Sequence, residues 1–174
     1  IAFWQAAEAR QSARDTGLVN AFLVDVFAVS NPYATGSEIS LAEALDDAAG
    51  KVDENFSNRP DLAVDIRYSL GKSMLGRYQL DAAEKQLNLA LKQAEQVFGP
   101  LDVRSIKAVA ALASLRKEQN RVVEAKALYD DALARITRSG PTNTELEANI
   151  LNDYGVLLLI EDDFAQADIL LRKA

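Results

Sequence analysis

Apolar side chains recur in the second half of the chain with the spacing of amphipathic helices. From Leu80 onward they fall at i, i+3, i+7, i+10, i+11 and i+14, on one face of a helix. These positions hold Leu80, Ala83, Leu87, Ala90, Leu91 and Ala94. The preceding segment carries a second stripe of Ile66, Leu70 and Met74. Two such stripes joined by a short polar turn predict a helical hairpin.

The hairpin pattern returns every 42 residues. Its first helix contains Leu70-Gly71, then Leu112-Ala113, then Tyr154-Gly155, each pair 42 positions after the previous one. Four further columns keep their size class: Leu80, Val122 and Phe164; Ala83, Ala125 and Ala167; Leu87, Tyr129 and Leu171; Ala90, Ala132 and Ala174. A hairpin of this kind cannot bury both faces alone, so repeated copies must stack. We therefore expect an all-α fold, a right-handed superhelix (αα-solenoid) of helical hairpins.

Small residues lie where the two helices of a hairpin should meet. We expect Gly71 to face Ala83, and Ala113 to face Ala125. A small residue lets two antiparallel helices approach closely and interlock, and this explains why these positions are never bulky.

The pattern resembles the tetratricopeptide repeat, which has a Leu-Gly pair and an apolar or aromatic residue in its first helix and paired alanines in its second. The long period, with Phe98-Gly99-Pro100 and Ser139-Gly140-Pro141 between hairpins, is similar to the subclass found in kinesin light chains and many bacterial signalling proteins. The resemblance extends from about Asp61 to the chain end. It implies a protein-interaction superhelix.

Two features depart from the family pattern. The glycine usual in the turn inside each hairpin is replaced by Tyr78, Asn120 and Asp162. Asparagine and aspartate tolerate a left-handed turn, whereas tyrosine does so less readily. Arg116 stands where an apolar or aromatic residue is expected, which would leave the second hairpin looser than the others.

The resemblance also implies a binding surface. Members of the family bind extended peptides or helices along the concave face, which is lined by the first helix of each hairpin. On this chain the face would hold Tyr68, Lys72, Leu75, Ala110, Ser114, Lys117, Asn149, Asn152, Asp153 and Val156. The set lacks the Lys/Asn/Arg arrangement with which chaperone-binding members clamp a C-terminal carboxylate. A solvated groove without a ligand is the alternative.

The sequence also suggests how the chain is divided. Residues 1–60 would form an N-terminal helix and a divergent capping hairpin, and residues 61–98, 102–138 and 143–174 would form three repeats, the last one truncated. Residues 21–76 resemble a narrower group, bacterial membrane-anchored Ser/Thr kinases or winged-helix transcription regulators. That resemblance implies a juxtamembrane helix at residues 3–14 and a location on the periplasmic face of the inner membrane; otherwise we expect a cytoplasmic protein.

Composition removes several function classes. The 174 residues suit one domain, and the formal net charge of −7 repels phosphate backbones, so we expect no direct nucleic-acid binding. The chain has no cysteine and no histidine, which removes thiolate metal sites and the commonest general base. The apolar run 18–29 is too short to span a bilayer. Membrane contact would require a tether outside this chain.

Two short motifs raise the question of catalysis. Gly71-Lys72-Ser73 resembles the end of a phosphate-binding loop, but Ile66 stands where its first glycine belongs. Ser69-x-x-Lys72 resembles a penicillin-enzyme nucleophile motif but lacks the companion elements. Both lie in a helix-patterned segment, so we interpret them as scaffold. The acids Glu161-Asp162-Asp163 lack calcium-loop spacing and are interpreted as a solvated turn.

The sequence thus predicts a non-catalytic protein-interaction or sensory domain of a larger bacterial signalling or transcription-regulatory protein. Its partner would be a protein or peptide, and no catalytic residue, cofactor or metal is expected. A soluble adaptor is the alternative, and an enzyme would lack any nucleophile–base pair. We also expect homodimers, formed through the N-terminal helix with Phe3 and Trp4 or through Phe164, Leu170 and Leu171 of the truncated last repeat.

Overall fold

The described part of the chain is helical in all its regular structure. The computed structural model describes residues 14–22, 24, 40–140 and 144–174, and residues 14–22 and 24 are helical. Seven further helices follow: α1 Leu41–Asn55, α2 Pro60–Gly76, α3 Leu80–Phe98, α4 Val103–Glu118, α5 Val122–Ser139, α6 Thr144–Ile160 and α7 Phe164–Lys173. The predicted all-α fold is confirmed. Of the predicted juxtamembrane helix at 3–14, only Arg14 lies within the described residues. Phe3 and Trp4 lie outside them.

Consecutive helices pack as hairpins that stack on one another. The pairs α2/α3, α4/α5 and α6/α7 each form one hairpin, and α3 packs on α4 while α5 packs on α6. The first helices also contact each other, α2 with α4 and α4 with α6. Because first helices adjoin first helices, they form one continuous face, and the stack is an αα-superhelix.

The turns inside the three hairpins share one backbone conformation. Tyr78, Asn120 and Asp162 have φ values of 61°, 58° and 58°, in the left-handed region. In each turn the following residue donates its backbone N–H to the carbonyl five positions earlier, at 2.8 to 3.0 Å. This is the hydrogen bond of the Schellman motif, which ends a helix with a left-handed residue. The 42-residue period is therefore a property of the backbone as well as of the core.

The connections between hairpins use glycine for its backbone freedom. Gly99 has φ 90° and ψ 165°, and Gly140 has φ 95° and ψ 179°. Residues with a side chain are essentially absent from this region. A Cβ atom at either position would meet nothing within 4 Å, so the backbone conformation, and not lack of space, requires glycine.

The close approach within a hairpin joins a glycine to a leucine. A Cβ atom on Gly71 would lie 2.7 Å from Cγ of Leu87, and one on Gly155 would lie 2.7 Å from Cγ of Leu171. The prediction that Gly71 faces Ala83 was wrong. Gly71 faces Leu87, which lies one helical turn further along α3 and fills the space. At the corresponding positions of the second hairpin Ala113 and Tyr129 are fully buried.

Arg67 is the largest fully buried side chain in the described residues. Its guanidinium donates to Asp53 of α1 at 2.5 Å and to Gln86 and Gln93 of α3 at 2.8 and 3.1 Å. A buried cation is tolerated when it is paired and hydrogen-bonded in this way. Arg67 thereby fixes α1 against the first hairpin. The residues 42 and 84 positions later are apolar, so this contact belongs to the N-terminal junction alone.

Arg116, which stands where an apolar residue was expected, has its charge fully paired. Its guanidinium is 12% exposed and pairs with Glu84 at 2.7 Å and Glu124 at 3.4 Å. It also donates to Gln119 at 2.7 Å, and the Gln119 amide donates to Glu84 at 2.8 Å. The network satisfies the charge and joins α3 to both helices of the second hairpin.

We predict that Gly71→Ala lowers the free energy of unfolding by about 1 to 3 kcal/mol, because the added methyl overlaps Leu87 and its backbone nitrogen lies only 3.3 Å away. Gly50→Ala is the control. Gly50 lies inside α1 with nothing within 4 Å of its Cβ position, so alanine there should stabilise by about 0.5 to 1 kcal/mol. Urea unfolding of both variants checks the prediction, which fails if the two changes have the same sign.

Candidate partner-binding groove

The face formed by the first helices carries an open groove. Its central cavity has a volume of about 280 Å³ and lies among α2, α4 and α6. Its polar lining comes from all three helices and comprises Tyr68, Lys72, Lys107, Ser114, Asn149 and Asp153. One cavity is thus built by three successive hairpins, and its shape depends on how they stack.

Two further cavities extend the central one in both directions. A cavity of about 390 Å³ shares Tyr68 and Lys107 with it and reaches Asp65 and Arg104. Another of about 490 Å³ shares Lys72, Ser114 and Asp153 with it and reaches the turn at Tyr78. We call these three connected cavities the concave groove. It runs along α2 and α4, and α6 lines its centre and the end near Tyr78.

The predicted face and the concave groove overlap in most residues. Tyr68, Lys72, Ala110, Ser114, Asn149 and Asp153 line the central cavity, and Leu75 and Lys117 line the 490 Å³ cavity. Leu75 is only 8% exposed and serves mainly as core. Asn152 and Val156 are exposed on α6 but line none of these cavities.

Sequence reasoning missed several residues of the groove. Lys107 lies 42 residues before Asn149 and 42 after Asp65, so applying the repeat to the predicted Asn149 would have found both. Arg104 lies one turn before Lys107 on α4. Tyr78 and Glu118 were out of reach of this rule because they lie at or beside hairpin turns, where the spacing along the helix no longer applies.

Most charges in the groove are paired. Arg104 pairs with Asp65 at 3.1 Å, and Lys117 pairs with Glu118 at 3.3 Å. Within the described part of the chain, Lys72, Lys107 and Asp153 form no salt bridge. The centre of the groove therefore presents two unpaired ammonium groups and one unpaired carboxylate, although the chain as a whole is acidic.

The tyrosines in the groove and beneath it have raised pKa values. Burial, and then the charge of Asp153, raise the pKa of Tyr68. Burial raises the pKa of Tyr129 to about 12, and a hydrogen bond with Ser114 partly opposes this rise. Burial also raises the pKa of Tyr154 to about 12. The Tyr129 hydroxyl lies 3.2 Å from the Ser114 hydroxyl, and its ring stacks on Tyr154 with centroids 5.2 Å apart. These contacts couple the groove to the interface between the second and third hairpins.

The segments considered for catalysis have structural roles. Gly71-Lys72-Ser73 and Ser69 lie inside α2, and the Ser69 hydroxyl donates to the carbonyl of Asp65 at 2.8 Å. In the acidic turn, Asp162 is the left-handed residue and Asp163 caps α7 by accepting from the N–H of Gln166 at 3.3 Å. Over residues 14–22, 24, 40–140 and 144–174, no cluster of three potential metal-ligating side chains occurs. No helix in these ranges is long and apolar enough to cross a membrane.

Comparison with known proteins defines the class of fold. The stacked hairpins form a tetratricopeptide-like helical-repeat fold. Among the solved structures that match is the crystal structure of BtubC (BKLC) from P. vanneervenii, with a TM-score of 0.64 and 20% sequence identity. The match covers 95% of this chain and 71% of that chain. No family model and no curated protein match the sequence.

The ion pair between Glu84 and Arg116 predicts an acid-sensitive contribution to stability. Hydrogen bonds from Arg116, and then Gln119, lower the pKa of Glu84 from 4.5 to about 2. A carboxyl whose pKa is lower in the folded state stabilises the fold above its unfolded pKa, and this contribution is lost as the pH falls through the folded pKa. The stabilisation from Glu84 should thus be complete above about pH 5 and disappear towards pH 2.

Thermal unfolding of Glu84→Gln at a series of pH values tests this. We expect the wild-type protein to be more stable than the variant at neutral pH, with a difference in Tm that shrinks between about pH 5 and pH 2. Asp168→Asn removes a carboxylate from an exposed pair with Arg172 and should leave Tm almost unchanged at neutral pH. A Glu84→Gln difference that stays constant over this range would contradict the account.

Proposed function

We propose that this chain is a non-catalytic protein-interaction domain that binds an extended peptide segment of a partner along the concave groove. The observation that carries the proposal is the series of three adjoining cavities along α2 and α4, two of which also include residues of α6. A peptide is the ligand whose length suits such a shape, because an extended chain advances by about 3.3 Å per residue and can follow these cavities along the helices.

The chemistry of the lining supports a peptide as well. Asn149 offers an amide that can both donate to and accept from a peptide backbone, and Tyr68 and Ser114 offer hydroxyl groups with the same capacity. Lys72 and Lys107 add two ammonium groups, and Asp153 adds a carboxylate. Mixed polar groups spread along a groove suit a segment with several functional groups better than a single small charged molecule.

The repeat boundaries and the wider protein context are part of the proposal. We assign 1–60 to an N-terminal capping region and 61–98, 102–138 and 143–174 to three repeats. On the resemblance of residues 21–76 we place the domain in a larger bacterial signalling or regulatory protein; a membrane-anchored protein of that kind would hold it at the periplasmic face of the inner membrane, and a soluble adaptor would be cytoplasmic. In a soluble adaptor the same groove would serve the same binding role.

A random 12-residue peptide library displayed on phage, panned against the folded chain, tests groove binding. Enriched peptides would be synthesised and titrated by calorimetry against wild type, Asn149→Ala and Lys72→Glu. We expect each groove variant to weaken binding by about tenfold, the effect typical of an interface residue that contributes more than 1 kcal/mol.

The matched control for Lys72→Glu is Lys85→Glu, which makes the same charge change on an exposed residue of α3 that lines none of the groove cavities. Its affinity for the peptides should equal that of wild type. Failure to enrich any peptide, or affinities that are the same for all four proteins, would refute the proposed function.

A further inference from the structure

The turn at Tyr78 is occupied by a residue that fits its backbone poorly. Its φ of 61° matches those of Asn120 and Asp162 at the equivalent turns. Asparagine and aspartate adopt the left-handed conformation several times more readily than a bulky residue does, because their short polar side chains bond locally. Backbone demands alone would favour either of them at position 78. A reason for tyrosine must therefore come from its side chain.

Core packing does not supply that reason. The Tyr78 side chain is 70% exposed and is not among the described side chains that form the buried apolar core. Its hydroxyl donates to a carboxylate oxygen of Glu118 at 2.8 Å, across an exposed gap between the first and second hairpins. An exposed hydrogen bond contributes little net stability. The ring itself is left facing solvent.

The ring lies at one end of the concave groove. Tyr78 lines the 490 Å³ cavity together with Leu75, Lys117, Glu118 and Asp153. The positive charges of Lys72 and Lys117 in this cavity are balanced by the negative charges of Glu118 and Asp153. This end therefore carries no net charge to attract an ion, whereas at the centre Lys72 and Lys107 outnumber Asp153. What it offers a ligand is an exposed aromatic face beside Leu75.

We infer that Tyr78 is a specificity-determining residue of the groove, whose ring contacts an apolar side chain of the bound peptide. The inference rests on the proposed function and specifies one end of the same site. Strained backbone conformations concentrate at functional sites, where other parts of the structure hold them in place. Tyrosine is also enriched among residues that dominate binding energy, since it gives a large, rigid contact surface.

The test combines stability and binding in one pair of variants. Tyr78→Asn should raise Tm by about 2 to 4 °C, because asparagine suits the left-handed turn. It should also weaken the binding of groove peptides that carry an apolar residue at this end by about tenfold. Tyr78→Phe keeps the ring and loses the bond to Glu118, so its affinity should stay within about twofold of wild type. The probes are the synthetic peptides selected by panning the wild-type chain.

A second panning against Tyr78→Asn adds a direct readout of specificity. Sequences selected by the variant should lose the preference for an apolar residue that wild type shows at one position. If Tyr78→Asn binds the same peptides with unchanged affinity while Asn149→Ala and Lys72→Glu weaken them, the groove function stands and this inference is refuted. A Tm that falls on Tyr78→Asn would also refute it, because the turn would then not be strained. If no peptide binds wild type, the proposed function itself fails.

Discussion

The contact between a glycine and a leucine inside the hairpin sets the geometry of the rest of the structure. The backbone of α2 at Gly71 lies against Leu87 so closely that even a methyl group would overlap it, and Gly155 and Leu171 repeat this contact. Because protein interiors are close-packed, such a contact fixes the separation and axial position of the two helices. The hairpins stack on one another, and their first helices form the face that carries the concave groove.

Ion pairs between neighbouring hairpins involve several of the charged residues of the chain. Glu84 with Arg116, Asp65 with Arg104, and Glu95 with Arg135 join the first hairpin to the second. The second and third hairpins meet instead through the stacked rings of Tyr129 and Tyr154. Many of the charged side chains are therefore used in contacts that hold the hairpins together. The unpaired lysines at the centre of the groove, Lys72 and Lys107, are therefore candidates for contact with a ligand.

Much of the fold could be predicted from the sequence because the 42-residue period records both packing and turn geometry. The left-handed turns at Asn120 and Asp162 fall where the repeat places them. The partner of Gly71 was predicted wrongly, since a repeat pattern shows that a position is small without showing which turn of the opposite helix fills the space. Arg67 could not be predicted as a buried residue, because its partners Asp53, Gln86 and Gln93 come together only in the folded chain.

The groove was predictable to a lesser degree, and for a related reason. Residues on the first helices follow the period, so Tyr68, Lys72 and Asn149 could be placed on one face. The ends of the groove depend on turns and on the stacking of separate hairpins. Tyr78 is an example. The sequence shows that it is a poor residue for a left-handed turn, but only the structure shows that it lines the groove.

A double-mutant cycle between Gly71 and Leu87 tests most directly whether the close contact governs the hairpin. Four proteins would be unfolded in urea: wild type, Gly71→Ala, Leu87→Ala and the double variant. If the cost of Gly71→Ala comes from overlap with Leu87, the same change should become neutral or stabilising once Leu87 is shortened, and the coupling energy should exceed about 1 kcal/mol. Additive effects, with Gly71→Ala equally destabilising in both backgrounds, would contradict the central role of this contact.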